Sequence, residues 1–407
     1  MKRVVVTGMA LASPLGCDVS DAYNNLKQLK NCIKYWDVLD EFENLNARLA
    51  APVQGFVVPE HFNRKVTRTM GKVAILSTAT TEKALIDSGL LGDDIISNGQ
   101  TGVSYGSSSG SLESIIDFYA MEKEKKVKGV NSGSYVKMMP QTCAVNISLY
   151  FKTKGRLIPA STACTSGSLS IGYAYETIKY GHQKVMLAGG ADELHPSHIA
   201  VFDTLYATSL KNESPHLTPS PFDVNRDGLV IGEGAGTLVL EEYEHAKARG
   251  AQIYAEIIGF GTSTDGTHIT NPNSETMGLA LELALKESGI SPDKIGYVNA
   301  HGTATQHGDV AETQATEKVF GKIVPISSLK SYTGHTLGAC GAIEAILSLK
   351  MLEEGWYAPT LNLNKVDENC GNLDYIRGAG REIATDIIMS NNFAFGGINT
   401  SLIFKKI

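Results

Sequence analysis

Short apolar runs, each long enough for one strand, alternate with longer stretches of helical period along nearly the whole chain. This alternation restricts it to an α/β fold with buried sheets. The pattern predicts strands over 2–7, 102–105, 185–190, 237–241, 253–259, 295–299, 324–327, 387–391 and 400–405. It predicts helices over 19–30, 70–88, 112–126, 166–180, 276–288, 310–320 and 341–354. The first strand is read as entering a glycine turn at Thr7-Gly8, which also cuts short any signal-peptide-like run. One weak repeat is visible. Ile158-Pro159, a polar turn and a helix ending Tyr180-Gly181 have a counterpart in Val324-Pro325, a polar turn and a helix ending Glu354-Gly355. A strand with a Gly/Ser/Thr-rich loop precedes each unit, over 103–111 and 298–309. Duplication and the ordinary recurrence of strand–turn–helix units both account for it.

The 407 residues suffice for two to three domain-sized units. With 36 Lys+Arg against 43 Asp+Glu the net charge is −7, which argues against a nucleic-acid partner. No apolar run reaches the ~18 residues of a membrane span. Six scattered cysteines without a CxxC pair suggest free thiols in a reducing compartment, so the cytoplasm is the expected location.

Three loops carry reactive side chains. Cys164, in TACTSG, sits at a strand-to-helix turn, where unpaired N–H groups and the helix dipole favour a thiolate, the nucleophilic form. A free cysteine is otherwise a small buried hydrophobe, the reading kept for Cys143 and Cys340. His301, in NAHGTAT, lies just past a strand, and His335, in KSYTGH, between a strand and a helix. Loops beyond the carboxyl ends of strands gather at ligand sites in open α/β sheets. His195 and His198 have metal-like spacing but no third ligand in register, and are read as structural. In Phe393-Ala394-Phe395-Gly396-Gly397 the glycine pair can turn backbone N–H groups inward, as an oxyanion hole needs; a plain turn between strands is the simpler reading.

Together these motifs resemble the β-ketoacyl-acyl carrier protein synthases, nearest the elongating KAS II-like branch. Further likeness runs through VVVTG, AGGADE at 188–193, RDGLVIGEGAG at 226–236 and LVLEEYEHAKARGA at 238–251. The resemblance spans essentially the whole chain. It implies a thiolase-like αβαβα sandwich of two duplicated halves, 1–250 with the nucleophilic cysteine and 251–407 with both catalytic histidines. It implies an acyl group held on Cys164, with the N–H groups of Cys164 and Phe395 as oxyanion hole, and decarboxylation of malonyl-carrier protein assisted by His301 and His335. Lys330 is similar to the family lysine beside the site, with Glu344 as its partner; a purely structural ion pair is the other reading. Thr303 and Thr305 are similar to hydroxyls that hold the pantetheine arm. No metal, nucleotide or other cofactor is implied, because the substrates travel on the phosphopantetheine of an acyl carrier protein. Arg64, Lys65 and Arg68 resemble the family's carrier-docking patch, whereas Lys123, Lys125, Lys126 and Lys128 read as a solvated helix face. A homodimer, or a heterodimer with a chain-length-factor homologue, is implied. The alternatives are a Cys–His acyl transferase or hydrolase on the same scaffold, or a non-catalytic partner of another ketosynthase.

The chain departs from the pattern at several points. Ser109 stands where a bulky aliphatic usually walls the acyl pocket. Ala394 replaces a glycine, Ile398 a threonine and Ser220 an arginine, and segment 204–221 is short. These changes leave the reaction intact and point to a specialised polyene or polyketide line.

Overall fold

The computed structural model describes residues 1–321 and 324–407. Its central feature is an eleven-stranded mixed sheet made of two like halves. The first half contains β1 (Val4–Ala12), β2 (Thr101–Gly106), β3 (Leu157–Ile158), β4 (Val185–Asp192) and β5 (Gly234–Glu242), in spatial order β3-β2-β4-β5-β1. The second contains β6 (Ala255–Thr264), β7 (Tyr297–Asn299), β8 (Pro325–Ser327), β9 (Asp374–Tyr375), β10 (Ile387–Ala394) and β11 (Ile398–Lys405), in order β9-β8-β7-β10-β11-β6. Leaving out edge strand β9, both halves have the same order and the same directions. The first strand is antiparallel to the last, the last antiparallel to the fourth, and the fourth, second and third are parallel. β1 and β6 join the halves through Val4–Val6 paired with Ala255–Ile257. The repeat read in the sequence is a true duplication.

Alternation along the strands builds the layers. Leu238 and Leu240 of β5 pack in the central core with Leu402 and Phe404 of β11, whereas Val239 and Ile403 face outer cores. Helices α1 (Lys72–Asp87) and α2 (Thr142–Phe151) cover the outside of the first half; α3 (Ser166–Lys179) lies in the middle. Beyond α4 (Pro196–Thr204), α5 (Ser274–Ser288) and α6 (Gln306–Phe320) cover the outside of the second half. α7 (Cys340–Glu354) joins α3 between the sheets. This is the thiolase-like αβαβα sandwich. No helix among the described residues is long and apolar enough to cross a membrane.

The turns leading into α3 and α7 repeat in detail. Ala163 and Leu337, neither of them glycine, take left-handed φ values of 50° and 51°, so Cys164 in the first half is matched by Gly338 in the second. The two turns meet at Gly190 of β4. A Cβ there would collide with the Gly338 carbonyl oxygen and lie 2.8 Å from Gly167 Cα.

The structure corrects three local expectations. β1 does not stop at Thr7-Gly8 but runs on to Ala12 through a register shift; Gly8 is needed because α1 passes so close that a Cβ would lie 2.7 Å from Ser88 Cβ. Segment 112–126 is a short 3-10 turn followed by a helix over Ile115–Glu124 only. α2 and α4 have no counterpart among the predicted helices; His195 caps α4, its Nδ1 accepting the Ser197 N–H at 3.2 Å.

Gly190→Ala is expected to destabilise the fold by about 1–3 kcal/mol through overpacking at the junction of the two turns. Urea unfolding checks this, and an unchanged midpoint would contradict it.

Candidate active site

Cys164 is positioned by a turn held together by its own hydrogen bonds. Thr162 N–H donates to Ser166 Oγ at 2.9 Å, Ser166 Oγ donates to the Ala163 carbonyl at 2.7 Å, and Thr165 Oγ1 donates to the Thr162 carbonyl at 2.8 Å. From the matching turn of the second half, His335 brings Nε2 to 3.0 Å from Cys164 Sγ. The Leu337 N–H donates to His335 Nδ1 at 3.2 Å. Nδ1 is therefore the acceptor nitrogen, and Nε2 carries the hydrogen that faces the sulfur. A Cys–His hydrolase needs the opposite tautomer, with Nδ1–H given to an Asp or Asn and a basic Nε2 on the thiol. His301 follows β7; its own N–H and that of Gly302 each donate to the Glu312 carboxylate at 2.7 Å. The two imidazole rings stand edge-to-face with centroids 5.2 Å apart, and one side-chain atom from each of Cys164, His301 and His335 lies within 4.8 Å of the others. The structure thus brings together all three reactive side chains singled out in the sequence.

Electrostatics set their protonation. Burial, then the nearby Lys330 ammonium, pushes both imidazoles well below the usual histidine range; His335 adds to the effect on His301. Both rings are neutral N–H donors at pH 7. Burial acts against the charge of Lys330, but Glu344, 2.5 Å away, together with Cys340 and Glu312 outweighs it and keeps the ammonium. Asn392 Nδ2 donates to Glu344 at 2.8 Å and also approaches His301 Nδ1 at 3.4 Å, linking the ion pair to the ring. The helix start does not leave Cys164 a thiolate, as its sequence position had suggested. Burial pushes the thiol up to about 11, against the pull of Lys330 and the N–H groups of Phe395 and Cys164. Desolvation of a fully enclosed sulfur exceeds the stabilisation a helix end supplies.

Cys164, His301, His335 and Phe395 line one cavity of about 400 Å³. Phe395 lies on the hairpin between β10 and β11, with its ring 5.0 Å from that of Phe202. Thr303 and Thr305 also line the cavity, their hydroxyls 2.9 Å apart. Ser109 is not among its lining residues, and its hydroxyl pairs with His198 Nε2 at 3.0 Å. Arg64, Lys65 and Arg68 are exposed. Sequence reasoning missed Glu312 and Asp309, which pin the backbone of 301–304, and Asn392. The acid pair three residues apart, just after NAHGTAT, was a usable signal, as was the polar run Ser390-Asn391-Asn392 inside a buried strand.

A thiol and two neutral imidazoles around one cavity, on a duplicated thiolase-like sandwich, define a condensing enzyme. Residues 1–246 match the β-ketoacyl synthase N-terminal domain family and residues 254–364 its C-terminal domain family. The chain is similar to the 3-oxoacyl-[acyl-carrier-protein] synthase 2 of Vibrio cholerae, 40% identical with 100% of this chain and 99% of that protein covered. It is similar to the crystal structure of a β-ketoacyl synthase from Burkholderia phymatum, with TM-score 0.98, 57% identity and both chains covered completely. The ishigamide ketosynthase/chain length factor structure aligns at TM-score 0.90 and 28% identity, over 100% of this chain and 99% of that one. The chain belongs to the β-ketoacyl-acyl carrier protein synthase family. It is a condensing acyltransferase of fatty-acid or polyketide synthesis.

Iodoacetamide alkylation of Cys164 is expected to rise with pH throughout the neutral range, because the thiolate fraction at pH 7 is only about one in ten thousand for a thiol near 11. Lys330→Met should slow it further. A rate that plateaus near pH 7 would contradict the buried neutral thiol.

Proposed function

We propose that Cys164 attacks the thioester of an acyl group on carrier-protein phosphopantetheine. The carrier thiol leaves with the proton that the cysteine gives up. The N–H groups of Cys164 and Phe395 hold the tetrahedral oxyanion; their stabilising effect on the resting sulfur supports this role. Malonyl-carrier protein then enters the emptied arm position beside Thr303 and Thr305. Loss of its carboxylate as carbon dioxide leaves an enolate, whose oxygen accepts the Nε2–H groups of His301 and His335. The enolate carbon attacks the acyl-Cys164 carbonyl, the thiolate is expelled and takes a proton from solvent, and the chain has grown by two carbons. The backbone donor to His335 Nδ1 is the observation that carries this reading, since it makes the ring a hydrogen-bond donor instead of a base. Lys330 and Glu344 act as a charge that keeps both rings neutral. The step calls for no metal or redox cofactor, because N–H donors supply the polarisation.

The carrier protein is the natural partner, and exposed Arg64, Lys65 and Arg68 suit an acidic surface. A second ketosynthase-type subunit, either another copy or a chain-length-factor homologue, would cover the open edge of β3. Six free thiols support a cytoplasmic setting. The departures at Ser220, Ala394 and Ile398 favour a specialised acyl chain over the housekeeping one, whereas Ser109 does not line the cavity.

Two outcomes are expected. Wild-type enzyme with acyl-carrier and malonyl-carrier protein should yield a product two carbons longer, and Cys164→Ala none; product from the alanine variant would remove the sulfur from the mechanism. Arg64→Glu with Lys65→Glu should raise KM for carrier-borne substrate about tenfold at low salt and leave kcat and short pantetheine thioesters unaffected. Unchanged KM would reject the docking patch.

A further inference from the structure

The turn before α7 copies the nucleophile's turn, with Gly338 at the place of Cys164. The two copies use the same N–H group differently. In the first half the N–H of Cys164 faces the sulfur and is one of the two proposed oxyanion donors. In the second half the N–H of Gly338 is already taken, donating to Asp192 Oδ2 at 2.6 Å. Asp192 ends β4 and is fully buried. Its carboxylate also accepts the Ser107 hydroxyl at 2.9 Å, and the Ser108 N–H lies 3.2 and 3.1 Å from its two oxygens. Ser107 Oγ in turn accepts the Gly110 N–H at 3.1 Å, so its own proton is left for Asp192. These partners are all donors, the surroundings that suit an ionised carboxylate. The lack of a side chain at Gly338 makes room for it, since a Cβ there would lie 2.7 Å from Asp192 Oδ2.

The proposed reaction gives this buried carboxylate no direct part, yet its contact leads to the ring proposed to hold the enolate. One residue before Gly338, the Leu337 N–H donates to His335 Nδ1 and so places the hydrogen on Nε2. Leu337 holds a left-handed φ of 51°, a conformation that a non-glycine residue keeps only when its surroundings impose it. Two consecutive N–H groups thereby reach two acceptors, His335 for Leu337 and Asp192 for Gly338. We infer that Asp192 is a positioning residue for decarboxylation: its hold on Gly338 locks the Leu337 turn, which keeps His335 Nδ1 the acceptor and Nε2–H the donor. Without that hold Leu337 relaxes to right-handed backbone and its N–H leaves Nδ1. The ring is then free to carry its hydrogen on either nitrogen. The inference rests on the proposed enolate role of His335 and adds what keeps that ring a donor.

The test measures two half-reactions on one preparation, release of carbon dioxide from malonyl-carrier protein and transfer of octanoyl from carrier protein to Cys164. Partial loss of folded protein cancels in their ratio. Asp192→Ala, which removes the acceptor, and Asp192→Ser, whose oxygen is too short to reach, should each lower decarboxylation relative to transfer about tenfold, the scale of one buried donor losing its partner. Asp192→Asn, which keeps one acceptor oxygen for Gly338, should restore part of the ratio. Ser107→Ala, which leaves the Gly338 bond in place, should stay close to wild type. In enzyme labelled with 15N-histidine, the His335 signals are assigned by their loss in His335→Ala. They should show a single Nε2–H tautomer in the wild type and a mixture in Asp192→Ala or Asp192→Ser. A ratio unmoved in both variants, an equal fall of both half-reactions, or an unchanged tautomer would each overturn the inference. Wild-type decarboxylation undiminished by His335→Ala would instead remove the enolate reading on which it rests.

Discussion

The active site exists because two backbone turns from opposite halves approach within the thickness of a glycine. Gly190, Gly167 and Gly338 leave no room for side chains between β4, the start of α3 and the turn before α7. That approach sets the Cys164 turn against the His335–Leu337 turn. Each turn carries a non-glycine residue in a left-handed conformation, a strain that the surrounding packing must hold in place. Duplication supplied the same turn twice, and divergence then placed a sulfur in one copy and left Gly338 in the other.

Burial does the rest of the chemistry. Enclosing two imidazoles beside an ammonium keeps them neutral, which suits them to donate to the enolate of the proposed reaction. Enclosing the thiol raises its pKa as well, so the sulfur is protonated at rest, and in the proposed reaction its proton passes to the leaving carrier thiol. A buried Lys330–Glu344 pair is costly to desolvate and is weak evidence of stability. Its position among both rings and Asn392 gives it an electrostatic role.

Much of this was legible in the residues. The alternation of strand and helix gave the class, and Cys164, His301 and His335 were singled out by lying at strand ends in loops rich in small residues. The duplication was visible as two strand–turn–helix units but needed strand order to separate it from chance. The continuation of β1 through Gly8 was not legible, because only the nearness of α1 explains that glycine. The thiol's ionisation was misread because a helix start is local, whereas desolvation depends on everything packed around the sulfur. The partnership of Ser109 with His198, far apart in the chain, is likewise a product of packing.

The central claim is that the imidazole pair, and not the sulfur, drives decarboxylation. Release of labelled carbon dioxide from malonyl-carrier protein by Cys164→Ala tests this most directly. The account expects release to continue without chain extension and to stop when His335→Ala is added. Release that ceases with the sulfur alone would contradict it.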